Sequence, residues 1–467
     1  MPASGTLRPG PADRAASLSP APVHDVAVHD VAIVGAGAAG LAAAAILRGA
    51  GRHCILIEAG GRIGGRAHTA RPDCLGGARF DTGATWLHQT DRNPLVKLAR
   101  ARGVPLVAAH QGPRRLFVDG RPASPDEVQA YEAAYGAWER TVRQRADGPD
   151  TTLAEAAGPA GPWTANIENW EGAIIAAADA DVLGLHDWQR NLLDEGDLSP
   201  PDGIGTLLAD LLGPMAGAVQ LDTAVQGIDW GGDLCRLRIA GGPAILAHAV
   251  IVTVSTGVLR AGRIAFEPAL PAATRAAIDG LPMGLLSKLA LPATGADRLD
   301  LESGTLLERR IDERCGGGML LSAWPSGLPY VTGFFGGRHA RALADRPAHA
   351  LAEAHATLRR LLGARAGSAV DAGRGFVTDW ATNPLFGGAY AYCPPGQSHS
   401  RAGLAEPVSD GRLLFAGEAC RSDGLAGTVG GALADGERAA RLLLQRRFGI
   451  ESAPGLTDGF PYAPHSV

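Results

Sequence analysis

The chain has 467 residues, of which 46% are hydrophobic, and 43 Lys plus Arg stand against 48 Asp plus Glu, for a net charge of −5. This length predicts roughly two to four domains, whose cores are large enough to be stable without disulfide bonds or a structural metal. The mildly acidic balance and the lack of a long Lys/Arg block argue against nucleic acid or an anionic membrane as the main partner.

The six cysteines and thirteen histidines show no CxxC or HExxH spacing, which predicts a reduced, cytoplasmic protein without a metal site. Two stretches, 31–47 and 242–259, are uncharged. The first is interrupted by glycines, and the second contains Pro243 and His248. Both are read as buried strands with flanking turns or a helix, not as membrane spans. Residues 1–25 are rich in Ala, Pro and Ser and predict a disordered leader.

The first ordered segment predicts a βαβ unit with a dinucleotide loop. The apolar run 26–34 predicts a buried strand, followed by GAGAAG, an Ala-rich helix and a second strand that ends in Glu58. In this GxGxxG pattern Gly35 permits a tight turn, Gly37 lets a pyrophosphate approach the backbone, and Gly40 lets the helix pack on the strand. A carboxylate at Glu58 suits ribose hydroxyls. The loop alone does not distinguish NAD from FAD.

Further along, the pattern predicts one long helix, a second strand-rich region, another helix and a closing strand-turn-helix, at 124–145, 219–254, 348–362 and 412–446. We interpret this order as a dinucleotide domain built from the start, middle and end of the chain, with a second domain inserted. The predicted boundaries are 26–100, 219–290 and 375–450 for the first domain, 101–218 and 291–374 for the second, and 451–467 for a tail.

Directly after Glu58 the chain reads AGGRIGGR, and here it resembles the flavin-containing amine oxidase family, which includes monoamine oxidases, polyamine oxidases and lysine-specific histone demethylases. Members carry an RxGGR element at this point. Four more stretches extend the resemblance, which is closest to polyamine oxidases: FDTGATWLH at 80–88, VIVTVSTGVLRAGRIAFEPALP at 250–271, DWATNPLFGGAY at 379–390, and LFAGE with GTVGGA at 414–432.

The resemblance implies an α/β fold with a Rossmann-type FAD-binding domain and a substrate domain of mixed sheet plus helices. It implies FAD as cofactor, bound non-covalently because Ala389 replaces the cysteine that attaches flavin in animal monoamine oxidases. The implied cofactor-binding residues are Gly35, Gly37, Ala39, Gly40, Glu58, Arg62, Gly65, Arg66, Gly83, Ala84, Thr85, Trp86, Val225, Trp380, Gly417, Glu418, Thr428 and Val429.

Lys288 is a lone cation in the apolar run GLLSKLAL and matches the family lysine that holds a water at flavin N5. Tyr390 matches one wall of the aromatic cage before the flavin. Thr428 stands where monoamine oxidases have the second cage tyrosine, which favours a site like those of polyamine oxidases or demethylases. Trp380 either packs on the flavin ring or is a core tryptophan.

The residues that would line the substrate pocket are weakly marked: by position only, they are His88, Trp170, Tyr390 and Thr428, with Glu171 and Tyr392 as further candidates. The acids Glu168, Glu171, Asp179 and Asp181 could attract a polycation, and a solvated helix face explains them equally well.

The implied reaction is oxidation of the C–N bond of a primary or secondary amine, polyamine-like or monoamine, with hydride transfer to flavin N5 and dioxygen giving hydrogen peroxide. Because the amine must be neutral, activity should rise with pH. The alternatives are an amine dehydrogenase, an L-amino-acid oxidase (disfavoured by the lack of an evident Arg clamp), a desaturase or protoporphyrinogen-oxidase-type flavoenzyme, and a flavin-bound interaction module. The sequence identifies neither the amine nor the acceptor and leaves a homodimer open.

Overall fold

The fold is taken from a computed structural model that describes residues 27–109, 112–193, 196–312 and 317–457. The predicted leader, 1–25, and most of the predicted tail lie outside the described residues. Within these ranges no helix is both long and apolar enough to span a bilayer.

The strands of the described residues are numbered in chain order. They are β1 Val28–Val34, β2 Cys54–Ile57, β3 Thr69–Ala70, β4 Phe80–Asp81, β5 Val107–Ala108, β6 Arg114–Val118, β7 Arg121–Pro122, β8 Leu198–Ser199, β9 Val219–Gln220, β10 Val225–Asp229, β11 Cys235–Ile239, β12 Ile245–Val252, β13 Ala265–Glu267, β14 Leu286–Pro292, β15 Thr305–Arg309, β16 Leu320–Ala323, β17 Tyr330–Gly336, β18 Phe376–Val377 and β19 Leu413–Phe415.

The α-helices are numbered in the same way, and a π-helix, Asn169–Ala176, follows α5. They are α1 Ala38–Gly49, α2 Pro94–Ala101, α3 Pro125–Arg145, α4 Leu153–Ala157, α5 Thr164–Glu168, α6 Leu185–Arg190, α7 Ile204–Ala216, α8 Thr256–Arg260, α9 Ala272–Asp279, α10 Gly337–Leu343, α11 Pro347–Leu362, α12 Ala364–Ala369, α13 Ser400–Ala405 and α14 Val429–Phe448.

The first sheet has the order β13-β10-β11-β12-β1-β2-β9, with β19 paired to β12. The strands around β1 run parallel, because helices connect them, whereas β10, β11 and β12 form an antiparallel meander. Residues of β1 such as Val31 and Ile33 are fully buried, as expected of a parallel strand covered on both faces. Helices α1, α2, α7 and α14 share one apolar core on one face.

The second sheet has the order β18-β14-β17-β16-β15-β6-β7 and is antiparallel except for the β6–β15 pair. One face, which includes Leu289, Leu321 and Phe335, packs with α11 and α12 in a single core. A helical region from α3 to α6 adds a separate aromatic core that contains Trp138, Trp163 and Trp188. The predicted α/β fold class, with one sheet rich in parallel strands and one mixed sheet plus helices, is confirmed.

Sheet membership changes where the domain boundaries should lie. The predicted boundary at residue 290 cuts through β14 (Leu286–Pro292), and the one at 375 leaves β18 (Phe376–Val377) on the wrong side, since both strands belong to the second sheet. Helix α7 (Ile204–Ala216) was assigned to the second domain, yet it packs on α1 in the core of the first sheet. We therefore propose boundaries that follow the sheets, before Leu286 and after Val377, with α7 in the first domain.

Candidate active site

The glycine-rich loop connects β1 to α1 in the geometry that its sequence predicts. Gly35 has φ +104°, and a Cβ on Gly40 would stand 1.9 Å from the Gly35 carbonyl oxygen, so neither position accepts a side chain without distortion. The Glu58 carboxylate accepts hydrogen bonds of 2.8 Å from the Ala36 and Gly60 backbone N–H groups. Glu58 therefore holds the loop and lies beside it, where a carboxylate can also reach a ribose.

A main cavity of about 480 Å³ begins at this loop and is lined by nearly all of the predicted site residues. The predicted residues that line it are Gly35, Gly37, Ala39, Glu58, Gly65, Arg66, Gly83, Ala84, Thr85, Trp86, His88, Val225, Lys288, Trp380, Tyr390, Gly417, Glu418, Thr428 and Val429. The tertiary structure therefore gathers residues from both sheets around one space.

Three predicted residues do not line the main cavity. Gly40 lies against the loop, where it permits close packing of α1. Arg62 donates to the Ile63 carbonyl at 3.2 Å, and burial lowers the pKa of its guanidinium. Trp170 packs beneath the Arg114 guanidinium, 5.3 Å from its ring centre, in an apolar cluster behind the cavity wall. Trp170 therefore packs in this cluster and does not line the main cavity.

Lys288 is only 4% exposed and comes from the middle of β14. Its ammonium group donates to the backbone carbonyl of Asp81 at 3.0 Å, to the Gly83 carbonyl and to the Thr85 hydroxyl. Burial lowers the pKa of Lys288 to about 8, partly opposed by the nearby Asp81. A lysine at this position can change its protonation state near neutral pH.

The rarity of lysine in this chain is a signal in the sequence that singles out Lys288. Lys97 and Lys288 are the only lysines in the chain, and arginine supplies all other fixed cationic side chains. Lys97 is exposed on α2, whereas Lys288 is buried. An arginine cannot lose its proton in a protein, whereas a lysine in this position can exist in both its charged and its neutral form.

Tyr390 lines the main cavity, and its hydroxyl donates to the carbonyls of Ile174 at 3.2 Å and Ile175 at 2.9 Å, both in the π-helix. Burial raises the pKa of its phenol, so the hydroxyl keeps its proton. A Cβ on Gly427 would lie 3.1 Å from the Tyr390 ring, which shows how closely that turn approaches. Thr428 caps α14 by accepting from the Gly431 N–H at 2.9 Å.

Arg66 and Glu418 form an ion pair of 2.7 Å that joins the RxGGR turn to the closing motif of the chain. Glu418 is 5% exposed and also accepts from the Ala391 N–H at 3.1 Å, and Arg66 donates to the Ala389 carbonyl at 2.8 Å. These bonds fix the backbone on both sides of Tyr390. The pair thus positions Tyr390 as well as lining the cavity.

Trp380 combines contacts typical of a core tryptophan with a place in the wall of the main cavity. Its indole N–H donates to the Thr82 carbonyl at 2.9 Å and its ring meets Phe386 edge-on at 4.9 Å, as in a core, yet it also lines the main cavity. A Cβ on Gly83 would lie 3.2 Å from this ring and 1.6 Å from the Arg66 carbonyl oxygen. Gly83 is therefore required by packing.

Several residues of the pocket wall were missed, among them the apolar side chains Ile174, Leu286 and Phe334. Phe334 stacks on Trp86 with ring centres 5.5 Å apart and lies 5.7 Å from the Lys288 ammonium. In the sequence, these wall residues look like ordinary core residues, because only the fold brings them to the site.

His88 has a partner that the sequence did not indicate. Its Nδ1 lies 2.6 Å from an Asp197 carboxylate oxygen, and both side chains are largely buried. Asp197 is more than a hundred residues away along the chain, next to β8, and the Leu87–Leu198 bridge brings the two together. The Asp197 carboxylate therefore fixes the orientation of the His88 ring at the cavity.

The acidic residues proposed for attraction of a polycation serve other contacts. Glu171 accepts from Tyr135 and from the Trp188 indole at 3.0 Å, and burial raises the pKa of its carboxyl. Asp179 and Asp181 bind Arg338. Glu168 is buried, so it neither belongs to a solvated helix face nor is exposed to attract a polycation. Tyr392, like Glu171, does not line the main cavity.

A glycine-rich phosphate loop, a carboxylate after the second strand and a cavity that runs on to a buried lysine together define a dinucleotide-binding oxidoreductase. A family model described as flavin-containing amine oxidoreductase matches residues 38–444. The chain belongs to this family and is accordingly an oxidoreductase that acts on amines, with a flavin cofactor.

Similar proteins include polyamine oxidase 1 of Oryza sativa subsp. japonica, 28% identical over 84% of this chain and 91% of that protein. Polyamine oxidase 4 of the same plant is 27% identical over 84% of each chain. Lysine-specific histone demethylase 1 homolog 1 of this plant is 30% identical over 82% of this chain, which spans only 48% of that protein.

Two features of the main cavity suit a flavin dinucleotide: open space beside the backbone and two adjoining helix N-termini. At Gly37 and Gly417, both in the cavity wall, a Cβ would meet no protein atom within 4 Å, so the space beside the backbone is open to a ligand. The N-termini of α1 and α14 adjoin the cavity at Ala38 and Val429 and provide partial positive charge for phosphates and for an electron-rich ring edge.

Proposed function

We propose that this protein binds FAD non-covalently and oxidises the C–N bond of a primary or secondary amine, with dioxygen as the electron acceptor. The observation that carries the proposal is the presence of Lys288 and Tyr390 in the same cavity as the dinucleotide loop. Ala389, which immediately precedes Tyr390, provides no thiol for a covalent link to flavin. The similarity to polyamine oxidases supports an amine of polyamine or monoamine type.

Several groups would hold FAD. Glu58 would bind the adenosine ribose, the backbone at Val225 the adenine, and the N-terminus of α1 the pyrophosphate. Thr428 and Val429, at the start of α14, would face the electron-rich edge of the flavin ring. The chemistry that FAD would supply when bound is the acceptance, at flavin N5, of a hydride from the substrate carbon.

The chain's own residues then orient the amine and control protons. Trp86, Phe334 and Tyr390 provide apolar and aromatic walls that exclude water and restrict how an amine can lie. Lys288 would hold a water that hydrolyses the imine or serves reoxidation, and it would not remove the substrate proton. The overall reaction balances as RCH2NH2 + O2 + H2O giving RCHO, NH3 and H2O2.

The decisive test is anaerobic bleaching of the purified flavoprotein by a panel that includes spermine, spermidine, putrescine, aromatic monoamines and L-amino acids. We expect flavin released by denaturation to show non-covalent binding, and one amine class to bleach the bound flavin, with recovery in air. Recovery only with an artificial acceptor would indicate a dehydrogenase, and bleaching only by L-amino acids an L-amino-acid oxidase. Bound flavin that no amine bleaches would overturn the proposal in favour of a desaturase-type enzyme.

Tyr390→Phe tests the role of the cage residue. The ring would remain as a wall, so we expect KM to change little, while loss of the hydroxyl leaves the Ile174 and Ile175 carbonyls without a donor and lowers the free energy of unfolding by about 1 kcal/mol. Urea denaturation and steady-state kinetics measure the two effects. Tyr392→Phe, outside the cavity, is the matched control, and a large loss of kcat at unchanged stability in Tyr390→Phe would contradict a purely positional role.

We further propose a cytoplasmic location. The five cysteines within the described ranges, Cys54, Cys74, Cys235, Cys393 and Cys420, are all free thiols, which suits a reducing compartment.

A further inference from the structure

A second, smaller cavity of about 70 Å³ adjoins the main one, and we call it the side cavity. Thr85, Trp86, Lys288 and Phe334 line both cavities and so form the wall between them. The residues with polar side chains that line only the side cavity are Arg79, Asp81, Ser199, Ser322, Ser326, Tyr330 and Thr332. Lys288 is thus in contact with two spaces of different chemical character.

Strand register explains why polar side chains collect here. In the second sheet, Lys288 pairs with Phe334, and Ser322 pairs with Thr332. Paired residues of antiparallel strands share a face, as do residues two apart along one strand, so Thr332 lies on the same face as Phe334 and Lys288. This face carries hydroxyls, whereas the opposite face, with Leu289 and Leu321, packs in an apolar core.

The hydroxyl groups of the side cavity need partners that the protein does not provide. Ser199, Ser322 and Thr332 are 9%, 7% and 5% exposed, and within the part of the chain that the structure describes their hydroxyls form no hydrogen bond with another residue. Within the described residues none of these three hydroxyl oxygens is a fully enclosed polar atom without a partner, so water in the side cavity can reach and satisfy them. A cavity of about 70 Å³ has room for at least two waters, since each occupies about 30 Å³ in the liquid.

The lining of the side cavity includes an exposed residue. Ser326 is exposed on the turn between β16 and β17, whereas Lys288, which lines the same cavity, is buried. Arg79 and Asp81 also line the cavity, with their charged groups 3.9 Å apart, so their charges largely compensate each other. The side cavity therefore has both an exposed residue and the buried lysine in its wall, and the exposed residue does not line the main cavity.

We propose that the side cavity holds a chain of ordered waters that exchanges protons between Lys288 and bulk solvent while the main cavity is occupied. A proton passes from the Lys288 ammonium to the Thr85 hydroxyl, which accepts a hydrogen bond from it and lines the side cavity, and from there to the first water, along the Thr332 and Ser322 hydroxyls and out past Ser326. The amine regains a proton by the reverse path, so no reactant is consumed. The role of this path in turnover rests on the proposed amine oxidation, but its role in proton exchange does not.

The test uses the full FAD-loaded chain labelled with 15N-lysine, which shows only two side-chain signals because the protein has two lysines. Lys97 serves as an internal reference. Ser322→Ala/Thr332→Val removes both hydroxyls at nearly constant volume, and the two single variants are made in case the double variant does not fold. Ser287→Ala is the matched control, since this buried serine lies next to Lys288 but outside the side cavity.

We expect exchange of the Lys288 Nζ protons with solvent to slow by about tenfold or more in the double variant, with Lys97 unaffected and Ser287→Ala like the wild type. Crystal structures should show waters that link Thr85 to Thr332 and Ser322 in the wild type, and no such chain in the double variant. Unchanged Lys288 exchange in the double variant, or a dry side cavity in the wild type, overturns the proposal. A wild-type protein that oxidises no amine refutes the proposed function alone, because exchange is still measured.

Discussion

Lys288→Met is expected to lower kcat for amine oxidation by about 100- to 1,000-fold, within the range by which a positioned proton-transfer group contributes to catalysis. Methionine has a similar length and suits a buried site, so the pocket should keep its shape while the donor to the Thr85 hydroxyl and to a bound water is lost. Stopped-flow measurement of flavin reduction and of its reoxidation in air shows which step slows. We expect hydride transfer to be less affected than the later steps.

The pH profile gives a second readout of the same substitution. Burial lowers the pKa of Lys288 to about 8, so its amine is mostly protonated below pH 8 and mostly neutral above it. The wild-type profile should show an inflection near this pH that Lys288→Met lacks, while the rise caused by deprotonation of the substrate amine remains in both.

The matched control is Lys97→Met, which removes the other lysine, exposed on α2, and should leave both rate and profile unchanged. Turnover of Lys288→Met within twofold of the wild type would show that the buried lysine has no part in the reaction.

Gly37→Ala is expected to weaken FAD binding by about 10- to 100-fold and to leave the folded protein without cofactor intact. Gly37 has φ −76°, which alanine adopts readily, and its Cβ would meet no protein atom within 4 Å. The added methyl would instead occupy the main cavity, where the pyrophosphate of the cofactor should lie. Overpacking costs about 1–3 kcal/mol, and each 1.4 kcal/mol is tenfold in affinity. Titration of the apoprotein with FAD measures the loss.

Two further glycine substitutions make this result specific. Gly295→Ala, on an exposed loop with open space around it, should change neither stability nor affinity. Gly40→Ala should destabilise the apoprotein itself, because its Cβ would overlap the Gly35 carbonyl oxygen at 1.9 Å. Equal FAD affinity in Gly37→Ala and the wild type would contradict the assignment of this loop to the cofactor.

Local features of the chain were well predicted because their causes are local. The β1–α1–β2 unit follows from an apolar β-branched run, glycines at a sharp turn and an Ala-rich helix, all within neighbouring residues. The assignment of strands to sheets has no local cause of this kind. Strand β14 is as apolar as the strands of the first sheet, and only its pairing with β17 assigns it to the second.

The family, the dinucleotide loop and most of the residues around the main cavity could be recognised in the sequence, since each lies in a short motif whose chemistry depends on adjacent residues. Contacts between distant groups came from the fold alone: Asp197 at His88, the Asp81 and Gly83 carbonyls at Lys288, and the hydroxyls of Ser322 and Thr332 on one face of the sheet. These contacts join residues far apart along the chain, and strand register sets them. No local pattern records that register, because a shift of one residue would turn the same side chains to the opposite face.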